Sequence, residues 1–187
     1  MVSQRIINWI KGHEGLVLYP YFDDYAGTPN VIEYSIGYGH QIQPNESYLF
    51  NGITKDTAEK LLIKDITAAQ ILVKKYVNKH LNAAQLDALT NLVYSIGIGG
   101  ALNTVIPLIN AHAGKKTIVP VWLNTGIYWQ GKKWPNLVKG RQTEVQLYYN
   151  NQWQTPALIA GGILASIFLF KYITKNKHND TIRNFIR

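Results

Sequence analysis

Residues 156–173 read PALIAGGILASIFLFKYI, eighteen positions whose one charged side chain, Lys171, stands near the far end. As a helix this run spans ~27 Å, close to the ~30 Å hydrocarbon layer of a bilayer. A helix apolar on all sides needs lipid or a large core around it. Trp153 and Tyr172 flank the run as interfacial aromatics do, and Lys171 can snorkel to the headgroups. The competing reading, a buried helix of the domain, asks too much of a small body that already has its own core to fill. The sequence therefore divides into a body (1–152), a single C-terminal transmembrane helix (153–173) and a basic tail (174–187).

Charge supports this division. The chain carries 19 Lys and Arg against 11 Asp and Glu, a net +8. Residues 171–187 hold Lys171, Lys175, Lys177, Arg183 and Arg187 against Asp180, so half of the excess lies in this last stretch. A basic protein suits an anionic partner: nucleic acid, a membrane surface or a cell-wall polymer. The tail's cations adjoin the apolar run, so lipid headgroups explain them better than nucleic acid does, and no specific nucleic-acid partner is expected. There is no cysteine, which excludes disulfides and thiolate metal sites. The opening MVSQRIINWIKGHEG has neither the long apolar stretch nor the small-residue cleavage site of a secretory signal.

Within the body, Ile6, Ile7, Trp9 and Ile10 predict a short amphipathic helix over 3–12. Residues 16–43 mix tyrosine, glycine and β-branched residues around the turn signal AGTPN, which predicts two or three short strands in a hairpin sheet. Thr54 then caps a long helix over 55–77. A second apolar helix over 82–96 stops at Gly97, Gly99 and Gly100. Further helices are expected at 101–113, 116–124 and 136–150. The fold class is α+β: a small antiparallel hairpin sheet followed by a mainly helical lobe.

The chemistry begins with HEGLVLYPYFDD, residues 13–24, which sets three carboxylates among apolar and aromatic side chains. Glu14 follows a helix and precedes Gly15 and Leu16. A carboxyl held against apolar neighbours keeps its proton to higher pH and can act as an acid. Asp23, in a polar hairpin, stays ionised. Two carboxyls in unlike surroundings are what glycoside hydrolysis requires. Spacing alone leaves a second reading open, in which Glu14 caps a helix while Asp23 and Asp24 serve a turn.

The segment EYSIGYGH, residues 33–40, adds the rest of a pattern. Glu14, Gly15, Leu18, Tyr21, Asp23, Gly27, Ser35, Ile36, Gly37, Gly39 and His40 together resemble the phage-type (T4-like) lysozymes, the endolysin muramidase family. LNAAQLDALTNLVYSIG (81–97) is similar to that family's long core helix, and WPNLVKGRQTEVQLY (134–148) to its closing helix. The resemblance covers about 3–150.

It implies a lysozyme-like fold and hydrolysis of the β-1,4 bond between N-acetylmuramic acid and N-acetylglucosamine in peptidoglycan, with no cofactor and no metal. Carried over by position, Glu14 is the general acid, Asp23 the base or electrostatic partner, and Ser35 the hydroxyl that positions the attacking water. Serine replaces the family's usual threonine there and loses a methyl that fixes the rotamer. The hairpin between Gly27 and Ser35 is longer than the family's, which bears on substrate preference. Tyr38, His40 and Arg141 form the expected substrate-side set. Tyr38 is read as lining the cleft and His40 as holding the hairpin by a hydrogen bond. Arg141 either braces the loop of Glu14 or makes a surface salt bridge near Glu144.

Three functional classes follow. The first is a membrane-anchored muramidase, displayed in a virion membrane or, alternatively, in the host inner membrane, with other virion proteins as partners. The second is a lytic transglycosylase, which needs only the acid. The third is an inactive structural or wall-binding virion protein. Asp23 and Ser35 favour the first, since both serve water.

Overall fold

The computed structural model describes residues 1–22, 34–129 and 131–150 of the 187. Asp23, Asp24 and both parts of the expected anchor, 153–173 and 174–187, lie outside the described residues. Among the described residues no helix is long and apolar enough to cross a membrane. The chain forms two compact units, one built on Met1–Ile10 and the stretch from Ile63, the other on Lys11–Leu62.

The second unit contains the end of α1 (Gln4–Glu14), then β1 (Val17–Phe22), β2 (Tyr34–Gly37) and β3 (His40–Gln41). The strands form an antiparallel sheet in the order β1-β2-β3. Val17 pairs with Gly37 but Tyr21 with Ser35, so β1 carries extra residues between these pairs and bulges. A 3-10 helix follows at Pro44–Asn51. Nothing in the apolar spacing announces this helix, because its register breaks at Glu46, where φ is −111°. Ile36, Leu49 and Leu61 make the unit's small core, with Ile42 and Ile53 packed on it. The Ile53 amide donates to the Leu18 carbonyl at 2.9 Å and ties the exit of the 3-10 helix to β1.

Thr54 caps α2 (Lys55–Tyr76) as expected. Its hydroxyl oxygen accepts from the Thr57 amide at 3.2 Å, satisfying one orphan donor of the first turn. The second half of α2 belongs to the first unit. There α3 (Ala83–Leu102), α4 (Val105–Asn110), α5 (Lys115–Asn124) and α6 (Pro135–Asn150) gather around Leu89, Leu92, Ile106, Trp122 and Leu147. Asn82 caps α3 reciprocally with Gln85, each side chain taking the other's backbone amide.

The expected stop at Gly97 is a break in α3: this residue leaves the helical region at φ 71°, and helix resumes as far as Leu102. The single helix expected over 101–113 is therefore shorter, Val105–Asn110. Thr104, at φ −134° and ψ −82°, separates it from α3. The two-residue strands β4 (Tyr128–Trp129) and β5 (Lys132–Lys133) were not expected; they are too short to show a period.

The start of α1 is fixed within the first unit by a buried carboxylate. Asp87 on α3 accepts the Ser3 hydroxyl at 2.7 Å and the Arg5 guanidinium at 3.2 Å. Ile6, Trp9 and Ile10 on the following turns are buried, as the amphipathic spacing requires.

Candidate active site

Glu14 is the last residue of α1, two positions beyond the end expected from periodicity. The helix runs on because the residue that can leave it is Gly15, whose φ of +69° lies in the left-handed region open to glycine. The carboxyl of Glu14 is thereby delivered at a helix end, half-buried, beside the sheet.

Its neighbour across space is the turn between β2 and β3. Gly39 sits there at φ +97°, and a Cβ on it would fall 3.6 Å from Oε2 of Glu14. The glycine is required by its backbone conformation; the carboxyl stands at ordinary contact distance from the position of a Cβ. Gly37, at φ +69°, packs its bare Cα face toward Ala58 of α2. These two positions account physically for the Gly-x-Gly-His string.

Ser35 is in the middle of β2, 2% exposed, opposite Tyr21 on one side and Gln41 on the other. Tyr38 is also buried, with the Lys11 ammonium 5.6 Å from its ring centre. Lys11 in turn pairs with Glu59 of α2 at 2.5 Å. The Glu59 hydrogen bond holds the Lys11 ammonium above its ordinary value and holds the Glu59 carboxyl below its own. His40 is buried, and its Nε2 lies 2.7 Å from Oε2 of Glu46, which also accepts the Gln43 amide at 3.2 Å. The histidine therefore fastens the 3-10 helix to the hairpin. Glu46 was not foreseen; it lies six residues on, beyond Pro44, with no period to link it to His40.

The structure thus assembles Glu14, Ser35, Tyr38 and His40 in one unit around the β2–β3 turn, while Asp23 lies outside the described residues. Arg141 belongs to the other unit, and there it is no surface residue. It is 1% exposed, donates to the Ser95 hydroxyl at 2.7 Å, and places Nη1 3.2 Å from Oε2 of Glu144. Glu144 also accepts from Asn91 at 2.5 Å and Trp122 at 2.8 Å. Burial lifts this carboxyl above its ordinary value, and Arg141, Trp122 and Asn91 pull it back. The sequence marks Arg141 and Glu144 as a helical pair but gives no sign of Asn91 and Trp122, which come from α3 and α5. Among the described residues no group of three His, Asp or Glu side chains could hold a metal ion.

A small antiparallel sheet after one helix, then a mainly helical lobe, is the architecture of lysozymes. The solved endolysin of Escherichia coli O157:H7 phage FAHEc1 shares it at a TM-score of 0.64 and 25% identity, covering 83% of this chain and 97% of that one. The fold is that of the lysozyme class, with a carboxyl at the end of its first helix. The phage lysozyme family model matches residues 11–144, and the chain belongs to that family. The endolysin of Bacillus phage B103 is 30% identical over 154 residues, 81% of this chain; the chain spans 55% of that relative's length. The endolysin of Acyrthosiphon pisum secondary endosymbiont phage 1 is 28% identical over 150 residues, covering 79% of this chain and 97% of that relative.

Proposed function

We propose that this protein is a peptidoglycan muramidase that hydrolyses the β-1,4 bond between N-acetylmuramic acid and N-acetylglucosamine. The observation that carries the reading is the carboxyl of Glu14 at the end of α1, laid against the glycine turn of the sheet that also bears Ser35. Family membership and the endolysin relatives support it.

In this reading Glu14 protonates the leaving glycosidic oxygen. Asp23, the residue after the end of β1, activates water on the opposite face of the sugar or stabilises the developing positive charge. Inversion of this kind requires ~6.5–9.5 Å between two carboxyl groups, the room that a water needs. The Ser35 hydroxyl helps to hold the water in line. His40 and Tyr38 keep the hairpin in shape beneath the sugar-binding surface, and Arg141 with Glu144 stiffens α6.

The segment 153–173 holds the enzyme to a membrane and the cations of 174–187 lie at its headgroups. A virion membrane is the favoured location, from which the enzyme opens the wall during entry; the host inner membrane is the alternative. Mass spectrometry of the muropeptides released by the full-length protein tests the chemistry. Reducing muramic acid ends support hydrolysis, anhydro ends indicate a transglycosylase, and absence of release indicates a wall-binding protein.

A further inference from the structure

Charge in this chain is segregated. Residues 66–150 carry nine Lys and Arg and two carboxylates, Asp87 and Glu144. Both carboxylates are 2% exposed and committed inside the fold, Asp87 to Ser3 and Arg5, Glu144 to Asn91, Trp122 and Arg141. This stretch therefore shows solvent its lysines and no acid to neutralise them. Residues 1–65 are the opposite, with five Lys and Arg against eight Asp and Glu.

The lysines are also grouped. Lys74 and Lys75 lie in the last turn of α2, and Lys79 follows in the loop to α3. Lys115 and Lys116 open α5. The two stretches are clasped together at Asn110, whose side chain accepts the Asn78 amide at 2.9 Å and donates to the Tyr76 carbonyl at 2.8 Å. All five lysines are exposed. Only Lys75 and Lys115 lean on rings, those of Tyr76 and Tyr149 at 5.2 and 5.0 Å, among the cation–ring contacts of the described residues. A cation over an aromatic face keeps its full charge and is held in place.

We propose that this lysine cluster is a docking surface for an anionic phosphodiester polymer of the cell wall, which keeps the enzyme on the wall between cleavages. The proposal rests on the muramidase reading only in taking the wall as the place of work. Charge complementarity selects the partner. A polymer of regularly spaced phosphates matches exposed ammonium groups carried on two clasped stretches, and ammonium is a compact phosphate binder. A lipid surface would want large apolar side chains interleaved with the cations, as amphipathic membrane-binding faces have. Of the exposed large apolar side chains among the described residues, two lie near these lysines in sequence, Ile71 and the marginally exposed Val121. Nucleic acid would want exposed rings for stacking or a helix face of Arg, and the five cations are all lysine.

The test compares full-length protein carrying Glu14→Gln, so that walls stay intact, on Gram-positive walls before and after hydrofluoric acid removes their phosphodiester polymers. Expected are at least tenfold weaker retention on stripped walls, and a similar loss on intact walls for the variant Lys74→Gln, Lys79→Gln, Lys115→Gln, Lys116→Gln. A variant of equal charge, Lys55→Gln, Lys60→Gln, Lys132→Gln, Lys133→Gln, is expected to retain binding. The double variant Lys115→Gln, Lys116→Gln with an unchanged melting curve guards against unfolding and is expected to lose part of the retention. Equal retention on stripped walls, or equal losses in both fourfold variants, overturns the proposal. So does normal wall binding in the cluster variant with lost binding to phosphatidylglycerol vesicles or duplex DNA. Hydrolysis of stripped walls by the Glu14 protein is read separately: if it persists while retention is unaffected by the cluster, the muramidase reading stands and the docking surface falls.

Discussion

Arg141 and Glu144 face each other one turn apart inside the helical unit, Nη1 3.2 Å from Oε2, each side chain 2% exposed. Buried ion pairs add little against a well-packed apolar pair, but removing one member strands the other. Arg141→Met leaves the Glu144 carboxyl among Asn91 and Trp122 without its cation. A loss of ~3–5 kcal/mol is expected in urea unfolding at a pH above the raised Glu144 value, where the stranded carboxyl would be ionised. The double variant Arg141→Met, Glu144→Leu should lose clearly less than the sum of the single changes. Additive losses would mean the two residues do not act as a pair.

The same carboxyl sets a pH dependence. Its value is raised on folding by burial, so the folded chain holds this proton to higher pH than the unfolded chain. Its contribution to stability is present in full below the ordinary glutamate value and is lost as pH rises through the raised one. Melting temperature plotted from pH 4 upward should therefore fall more steeply in the parent protein than in Glu144→Gln. Parallel curves would remove Glu144 as the source.

His40 and Glu46 provide a second buried contact, at 2.7 Å. The pair joins the hairpin to the 3-10 helix, so His40→Ala should act on stability, by ~1–3 kcal/mol for the loss of a buried hydrogen bond. KM for wall fragments should change little at a temperature where the variant is folded. A large rise in KM with unchanged melting would make His40 a substrate contact instead.

For the C-terminal segment the expected outcome is retention of the full-length protein in membranes. Leu164→Arg should weaken that retention by ~2.5–3.5 kcal/mol on insertion scales. Flotation of both proteins with vesicles is the measurement; equal recovery in the lipid fraction would count against an anchor.

Much of the helical framework was legible because its signals are local. Thr54 and Asn82 are caps with their partners three residues on, the apolar stripe of α2 repeats at 3.6 residues, and α3 is a largely apolar run. The site was legible where motif spacing fixes backbone shape, as at Gly15 and Gly39, whose positive φ angles put the Glu14 carboxyl against the turn. What escaped depends on distant partners. Arg141 is tied to Ser95 and its partner Glu144 to Asn91 and Trp122, contacts 22–53 positions apart in sequence that no window along α6 contains. The 3-10 helix and the β4–β5 ribbon escaped for a different reason: each is too short or too irregular to write a period into the sequence.

In the proposed reaction Glu14 supplies the proton that breaks the glycosidic bond. Glu14→Gln keeps the size of the side chain and its place at the end of α1 while removing that proton, and general acid help is typically worth ~10²–10⁴-fold. Turnover of purified peptidoglycan by the folded variant, compared with the parent under identical conditions, measures that contribution directly. The expected result is a fall of that order with an unchanged melting curve; near-normal turnover by the folded variant would contradict it.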